Sequence, residues 1–242
     1  MTQPIAIIGA GPAGLMAAGI LSAAGRRVTV YDRMPSPARR FLMAGRGGLN
    51  LTHSEVFERF VARYGKRAPH LRPALEGFTP KDLRDWADDL GAQTFVGTSG
   101  RVFPRAMKAS PLLRAWLARL AAQGVDVRMR SEWRGWDDRG RLRIGDEAVA
   151  ADAVVLALGG ASWPKLGADG GWTARLAEYG VQIAPFQPAN AGFMTDWSEA
   201  MRRFAGEPLK NIALGFGGRS VRGEIMLTRH GIEGGAVYAL SG

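Results

Sequence analysis

Three glycines near the N-terminus are the residues whose types and spacing point most directly to chemistry. Gly9, Gly11 and Gly14 have the spacing G-x-G-x-x-G. At this spacing the first glycine allows a tight turn, the second lets the backbone approach a pyrophosphate, and the third lets a helix pack against a strand. Asp32 follows at a position where an acid can accept hydrogen bonds from an adenosine ribose. These residues predict a site for FAD or NAD, and the acid argues against NADP.

The elements that must position these residues can be predicted from the same segment. Residues 5–8 are continuously apolar, as expected of a buried parallel strand. A helical pattern starts after the glycines and ends near Gly25. Residues 26–32 have the pattern of a second strand, which ends at Asp32. This order predicts an α/β fold of Rossmann type, because the helix N-terminus then presents free N–H groups to phosphates.

The middle of the chain alternates predicted helices and short strands. Three helices are indicated by a capping residue followed by an amphipathic pattern. They cover residues 54–64 with Ser54 as the cap, 79–91 with Thr79 as the cap, and 110–124 with Ser110 as the cap. Residues 132–158 are predicted to form an antiparallel meander, and its last, continuously apolar member, 153–158, is assigned to a buried sheet.

A second strand–glycine–helix junction follows this meander. The strand ends in Gly159-Gly160 and is followed by a loop and a helical pattern. It is similar to the "A-T-G-G" turn that runs beside bound FAD in two-dinucleotide-binding flavoproteins, and "ALGG" at 157–160 occupies the matching place. A plain strand-to-loop turn is the alternative interpretation.

The stretch "FLMAGRGGLNLTH", residues 41–53, has glycine or alanine at four of the five positions 44–48. Arg40 lies just before the stretch and Arg46 inside it, and the stretch closes on Asn50, Thr52 and His53. Glycine is the costliest residue to order on folding. A cluster of glycines therefore indicates that the backbone is needed where a side chain would be in the way. The pattern does not by itself say what approaches so closely.

The composition excludes several kinds of site. The chain of 242 residues contains no cysteine, which excludes disulfides, thiolate nucleophiles and iron–sulfur clusters. It contains three histidines, none at metal-ligand spacing, so no metal site is predicted. The net charge of +10 is scattered, which favours an arginine-rich soluble protein over a nucleic-acid partner. No run is long enough to span a membrane and no signal peptide is evident, so the cytoplasm is the expected location.

Beyond the glycine motif, the chain resembles the BaiN/YhiN-type flavoproteins, also grouped as aminoacetone-oxidase-like FAD-binding enzymes. The matching stretches run in family order over nearly the whole chain. They are Gly9–Gly14 with Asp32, "GRGGLNLTHSE" (45–55), "GRVFPRAMKAS" (100–110), "LALGGASWPKLGADGG" (156–171), "PFQPANAGF" (185–193) and "EIMLTRHGIEGGAVYALSG" (224–242).

The resemblance implies bound FAD, a Rossmann-like FAD-binding domain over residues 1–188 and an inserted, mostly β domain over 189–242. It also implies that the glycine-rich loop lies against the FAD. Many relatives carry "GxGRCNxTN" there, whereas this chain has Leu49 in place of the cysteine and a shifted arginine. The predicted cofactor-binding residues are Gly9, Gly11, Pro12, Ala13, Gly14, Asp32, Arg33, Arg40, Gly45, Arg46, Gly47, Asn50, Leu51, Gly159 and Gly160.

The reaction is less well determined than the cofactor. The first hypothesis is an FAD-dependent oxidoreductase acting on a small organic molecule, by amine oxidation or by reduction of a conjugated enone. A second glycine fingerprint is absent from the sequence, so NAD(P)H would dock only transiently as a reductant. His53, Lys108 and His230 are the polar residues within family motifs, but no catalytic residue is assigned. The alternatives are a flavoprotein with a role in RNA modification and a non-catalytic fragment.

The resemblance also carries an expectation about the end of the chain. Residue 242 falls within the inserted domain of the family, before the segment that returns to close the flavin domain. The chain is therefore expected to be a fragment that is poorly soluble and holds FAD weakly. Its inserted domain is expected to leave the apolar stretches 225–227 and 236–240 as strand edges without neighbours. The sequence does not set the oligomeric state.

Overall fold

A computed structural model describes residues 3–44, 48–188 and 190–241. The chain divides into two compact units, Met1–Ile183 and Ala184–Gly242, and each is described by itself. The extents of the FAD-binding and inserted domains, 1–188 and 189–242, remain predictions.

The strands of the described residues are β1 (Ile5–Ile8), β2 (Val28–Asp32), β3 (Thr52–His53), β4 (Phe95–Val96), β5 (Arg101–Phe103), β6 (Asp126–Met129), β7 (Trp133–Trp136), β8 (Leu142–Ile144), β9 (Glu147–Val149), β10 (Ala153–Leu156), β11 (Phe193–Met194), β12 (Pro208–Phe216), β13 (Arg219–Thr228) and β14 (Gly231–Glu233). The α-helices are α1 (Pro12–Ala23), α2 (Arg39–Ala44), α3 (Phe57–Ala62), α4 (Ala68–Gly77), α5 (Pro80–Asp89), α6 (Ala109–Ala122), α7 (Trp172–Ala177), α8 (Glu199–Arg202) and α9 (Gly235–Tyr238). Short 3₁₀ turns cover Gly65–Arg67 and Pro164–Leu166.

A parallel sheet in the order β10-β1-β2-β6 forms the centre of the first unit, as the sequence predicts. Ile7 is fully buried and stands opposite Val30 and Val155 in the register. Leu15 of α1 and Trp116 of α6 pack in the same cluster and cover one face of the sheet. All four strands point the same way, so their carboxyl ends meet at one edge, where a parallel sheet places its ligand.

The predicted meander is confirmed and covers the opposite face. Strands β7, β8 and β9 form an antiparallel sheet, whose Trp133 and Leu142 pack against Ile8 and Tyr31. The strand after the meander joins the parallel sheet, but it lies at an edge of the described sheet and its residues are exposed or half-buried. The strand is therefore less buried than its continuously apolar sequence predicts.

Two predicted helix starts are wrong, and one is confirmed. Thr79 caps α5 in a reciprocal capping box with Asp82, as predicted. Helix α3 begins at residue 57, because the Ser54 N–H donates to the Gly100 carbonyl and continues the pairing of β3 with β5. Helix α6 begins at residue 109, before the predicted cap at Ser110. Its third residue is a proline, which the first turn tolerates because N–H groups there have no intrahelical partner.

The second unit is an antiparallel sheet in the order β11-β14-β13-β12, with α9 packed on one face through Ala236 and Val237. The predicted unpaired strand edges are wrong here. Residues 225–227 lie in β13, which pairs with β12 on one side and β14 on the other. Residues 236–240 are mainly helical, because the chain turns at Gly234, whose φ is 108°, and α9 starts directly after it.

Candidate functional site

The turn after β1 shows why each of its three glycines is needed. Gly9 has φ 113°, and a Cβ there would lie 2.3 Å from the Ala157 carbonyl oxygen. A Cβ on Gly14 would lie 1.9 Å from the Gly9 carbonyl oxygen, so this glycine lets α1 sit against the turn. At Gly11, in contrast, no described atom lies within 4 Å of the Cβ position. At Gly9 and Gly14 the space of a side chain is therefore occupied by backbone atoms of the protein, whereas at Gly11 that space is open.

Asp32 holds this turn in place. Its Oδ2 accepts a hydrogen bond from the backbone N–H of Ala10 at 2.7 Å, and its Oδ1 accepts one from Met34 at 2.8 Å. An ionised carboxylate has about four lone-pair sites, so these two bonds leave acceptor capacity for a ligand. The acid predicted to bind a ribose is thus also a structural tie between β2 and the glycine turn.

A large cavity of about 1110 Å³ lies at the carboxyl edge of the parallel sheet. It contains most of the predicted cofactor-binding residues, which come from four separate stretches of the chain. Those that line it are Gly9, Gly11, Pro12, Ala13, Asp32, Arg40, Asn50, Leu51 and Gly159. Gly14 is buried beneath the turn, and Gly160 lines neither this cavity nor its neighbour. Gly45, Arg46 and Gly47 lie outside the described residues.

A smaller cavity of about 270 Å³ adjoins the large one. Gly9 and Asp32 line both, so the acid stands at the junction between them. Arg33, which was predicted to bind the cofactor, lines only the smaller cavity. Trp133 also lines it, and its buried Nε1 has no hydrogen-bond partner within the described part of the chain. The site is therefore two adjoining cavities with Asp32 in the wall of both.

The loop after β10 forms one wall, held by side chains from the segment after β2. Arg33 pairs with Asp169 at 2.8 Å and donates to the Gly167 carbonyl at 2.9 Å. Arg40 donates to the Ser162 hydroxyl at 3.1 Å. The N–H of Gly171, with the neighbouring Arg33 guanidinium, lowers the pKa of the Asp169 carboxyl below its usual value. These bonds bring two distant stretches together around the cavity.

Arg39 is a site residue that the sequence reasoning missed. It is the first residue of α2 and lines the large cavity. Its Nε is buried, and no described group accepts a hydrogen bond from it. A buried donor without an acceptor is costly, so this atom indicates a place for an anionic ligand. The signal in the sequence is the pair "RR" at 39–40, of which only the second arginine is predicted above to bind the cofactor.

Three polar residues of the family motifs, His53, Lys108 and His230, are not among the residues that line this cavity. His53 is occupied at both ring nitrogens: Nδ1 accepts from the Glu55 N–H at 3.1 Å, and Nε2 donates to the Ser99 carbonyl at 3.0 Å. Lys108 lines a separate cavity of about 310 Å³ beside α6. His230 belongs to the second unit. None of the three lines the large cavity or the smaller one beside it.

Leu49, which stands where many relatives carry a cysteine, has a clear structural role. It is buried against Ala87, Ala109 and Leu112, between α5 and α6. Next to it, a Cβ on Gly48 would lie 2.8 Å from the methyl group of Met107. The end of the glycine-rich loop is therefore packed against protein on one side, while Leu49 and Asn50 contribute to the large cavity on the other.

No group of three or more histidine, cysteine, aspartate or glutamate side chains within them could hold a metal ion. None of the helices in the described ranges is both long and apolar enough to cross a membrane.

Comparison with known proteins gives matches to a family, to curated relatives and to solved structures. A family model described as the HI0933-like protein Rossmann domain matches residues 3–238. The ribosomal RNA dihydrouridine synthase of Escherichia coli (strain K12) is 28% identical over 97% of this chain and 59% of its own length. The 3-dehydro-bile acid delta(4,6)-reductase of Clostridium scindens (strain ATCC 35704 / DSM 5676 / VPI 13733 / 19) is 26% identical over 98% of this chain and 59% of its own.

Among solved structures, the open conformation of a flavocytochrome c3 fumarate reductase has a TM-score of 0.50 and 18% identity, over 87% of this chain and 47% of that one. This likeness supports the fold. The chain spans about 59% of the length of the curated relatives described above.

Proposed function

The chain belongs to the HI0933-like Rossmann domain family of FAD-dependent flavoproteins, and on that premise we propose that it is an FAD-dependent oxidoreductase acting on an unidentified small organic substrate. The observation that carries the proposal is the empty space at Gly11. It opens into the large cavity, beside the N-terminus of α1. Gly11 lies at a helix N-terminus, and no described atom occupies the space that a side chain would take there. This arrangement suits the approach of a pyrophosphate.

We assign the parts of FAD to the two cavities by the chemistry of the residues that line them. The free N–H groups of the first turn of α1 and the Arg39 guanidinium would bind the pyrophosphate. Asp32 would accept hydrogen bonds from the adenosine ribose. Because Asp32 stands at the junction, the adenine would enter the small cavity and the isoalloxazine the large one. NAD(P)H, if it is the reductant, would dock transiently, since the sequence has one glycine fingerprint.

When bound, FAD supplies hydride transfer, so the protein's part is to bind, orient and shield the reacting groups. The large cavity is suited to this task because aromatic and aliphatic side chains, among them Phe41, Trp86 and Leu166, line it beside the polar turn. An apolar lining excludes water and accepts a flat organic molecule. None of the polar residues of the family motifs is assigned a catalytic role.

Within this class we place reduction of a conjugated double bond ahead of amine oxidation. Forming dihydrouridine from uridine, and reducing a Δ4,6 double bond in a dehydro-bile acid, both saturate a carbon–carbon bond conjugated with a carbonyl group. The names of two relatives describe these reactions. The shared chemistry makes a conjugated enone the first substrate class to screen.

The test of cofactor binding is titration of the chain with FAD and with ADP, compared between two matched glycine substitutions. Gly11→Ala places a methyl group in the proposed pyrophosphate space and should weaken both ligands by at least about tenfold. Gly77→Ala, at the end of α4 with no described atom within 4 Å of its Cβ position, is the control. If the unmodified chain bound neither FAD nor ADP, the proposal would be wrong.

The test of the reaction is an anaerobic screen of flavin absorbance. Reduced, FAD-loaded protein is mixed with conjugated enones, and oxidised protein is mixed with primary amines. Reoxidation by enones alone supports the preferred class, and reduction by amines alone reverses the order of preference. If neither set changes the flavin spectrum, both substrate classes are wrong for this chain.

A role in RNA modification is the second candidate, favoured by one relative's name and by a basic surface segment. Residues 59–72 contain Arg59, Lys66 and Arg67, which are exposed. The arginines at 63 and 72 in the same segment are paired with glutamates. Exposed cations of this kind bind phosphates in a salt-dependent way.

The second candidate is tested by a mobility-shift titration with a ribosomal RNA fragment at several salt concentrations. Arg59→Ala with Arg67→Ala should weaken binding and reduce its salt dependence by about two phosphate contacts. Arg139→Ala with Arg143→Ala removes the same charge from the meander and is the control. Equal effects of the two pairs, or no binding at physiological salt, would remove this candidate.

A further inference from the structure

Trp163 is an exposed aromatic side chain of the candidate site. It lies in the loop after β10, lines the large cavity and is 60% exposed. Its backbone has φ 70° and ψ 63°, in the left-handed region. For a bulky residue this conformation is strained and persists only where the surrounding structure imposes it.

Hydrogen bonds on either side impose this conformation. The Trp163 carbonyl accepts from the N–H of Leu166 at 2.9 Å and from that of Ala168 at 3.4 Å. The preceding residue, Ser162, is held by Arg40. The loop backbone is therefore held in this left-handed conformation, and it carries an exposed indole that lines the cavity.

Trp172, at the other end of the same loop, shows what a structural tryptophan looks like here. Its Nε1 donates to the Gly159 carbonyl at 3.1 Å, and its ring packs with the cluster around Tyr31. Trp172 thus braces the glycine turn. Trp163 does not belong to the hydrophobic clusters of the described residues and is 60% exposed.

We infer that Trp163 stacks on the isoalloxazine ring of bound FAD. The inference rests on the proposed function, since that function sets the direction of the cofactor. The proposed function puts the pyrophosphate at Gly11 and Arg39, the ribose at Asp32 and the isoalloxazine in the large cavity. Trp163 lines that cavity and not the smaller one. An electron-rich indole and an electron-poor flavin are complementary in a stacked pair, which covers both apolar faces.

The experiment compares two ligands that differ in this ring. FAD contains the isoalloxazine and ADP does not, while both contain the adenosine and the pyrophosphate. Trp163→Gly removes the indole and suits the left-handed backbone, so the variant should fold. Trp163→Phe retains a smaller ring. Phe216→Ala, which removes a 70% exposed aromatic side chain from the second unit, is the control.

We expect Trp163→Gly to weaken FAD about tenfold and to change ADP binding by less than about twofold. The bound flavin should also become more fluorescent, because the indole no longer quenches it. The FAD affinity and flavin fluorescence of Trp163→Phe should lie between those of the unmodified chain and Trp163→Gly. Phe216→Ala should match the unmodified chain in both.

Two different failures can be told apart. If the unmodified chain binds FAD but Trp163→Gly leaves FAD affinity and flavin emission unchanged, or weakens FAD and ADP equally, the stacking role is wrong and the proposed function stands. If the unmodified chain binds neither ligand, the proposed function fails and the stacking role fails with it. Circular dichroism of each variant confirms that the fold is retained.

Discussion

Two turns at the same edge of the parallel sheet are built in different ways. The turn after β1 is closed by contacts between backbone atoms: Gly9 faces the Ala157 carbonyl and Gly14 faces the Gly9 carbonyl. The loop after β10 is also rich in glycine, but no described atom lies within 4 Å of a Cβ on Gly159 or Gly160. It is held by side chains that reach it from the segment after β2, notably Arg33.

The difference indicates how each turn should respond to substitution. The backbone atoms beside Gly9 and Gly14 cannot rotate away as a side chain can. A methyl group in the first turn must therefore displace β1, α1 or β10. Contacts through exposed side chains can rearrange, so the second loop should tolerate change at a smaller cost. The predictions below test that contrast, from the largest expected effect to the smallest.

Gly14→Ala should have the largest effect on folding. The new Cβ would lie 1.9 Å from the Gly9 carbonyl oxygen, so the helix and the turn must separate. We expect a loss of about 3 kcal/mol in the free energy of unfolding, measured by urea denaturation. Gly11→Ala, with no described atom at its Cβ position, should leave that free energy within about 1 kcal/mol of the unmodified value. Similar losses in both variants would contradict the distinction between the two glycines.

Asp32→Ala should lower both stability and FAD affinity. It leaves the buried Ala10 N–H and the Met34 N–H without their acceptor. We expect a loss of about 2 kcal/mol in the free energy of unfolding and a loss of about 1–3 kcal/mol in the binding of FAD. Thermal unfolding without ligand and FAD titration of the folded variant measure the two effects separately. Unchanged FAD affinity would refute the ribose assignment.

Gly159→Ala should lower the free energy of unfolding moderately, through backbone conformation alone. Gly159 has φ 77°, in the left-handed region, whereas Gly160 does not have a positive φ. We expect Gly159→Ala to cost about 1 kcal/mol in the free energy of unfolding. Gly160→Ala is the matched neighbour and should change it by less than about 0.5 kcal/mol. Equal effects at the two positions would show that crowding, and not backbone conformation, governs this turn.

Loss of the ion pair between Asp169 and Arg33 should have the smallest effect on the free energy of unfolding, and this effect should depend on pH. The pKa of this carboxyl is lowered by the Gly171 N–H and by Arg33, so its stabilising contribution is present above the ordinary aspartate pKa of about 3.9. The contribution is lost as the pH falls through the lowered value. Since both partners are more than a third exposed, we expect about 0.5 kcal/mol at most. The measurement is the difference in unfolding free energy between Asp169→Asn and the unmodified chain from pH 6 to pH 3, and a difference that grows as the pH falls would have the wrong sign.

The sequence by itself determined the elements that depend on local spacing. The glycines at 9, 11 and 14, the apolar strand before them and the acid at the end of β2 place the dinucleotide turn, because strand, turn and helix periodicities are short-range. The capping box at Thr79 and the meander were predicted for the same reason. The starts of α3 and α6 were not, since Ser54 is engaged by a residue far along the chain and Ser110 is preceded by a tight turn.

Only the tertiary structure decided which side chains face the cavity and which are used by the fold. Both adjacent arginines line the cavity, but the buried Nε of Arg39 has no partner among the described residues, whereas Arg40 ties down the loop after β10. His53, a candidate by its motif, is occupied by Glu55 and Ser99. Residues 225–227, expected to be an exposed edge, pair on both sides. The bonds from Arg40 to Ser162 and from His53 to Ser99 join residues far apart in the chain, and local sequence patterns carry no information about which distant segment will lie beside them.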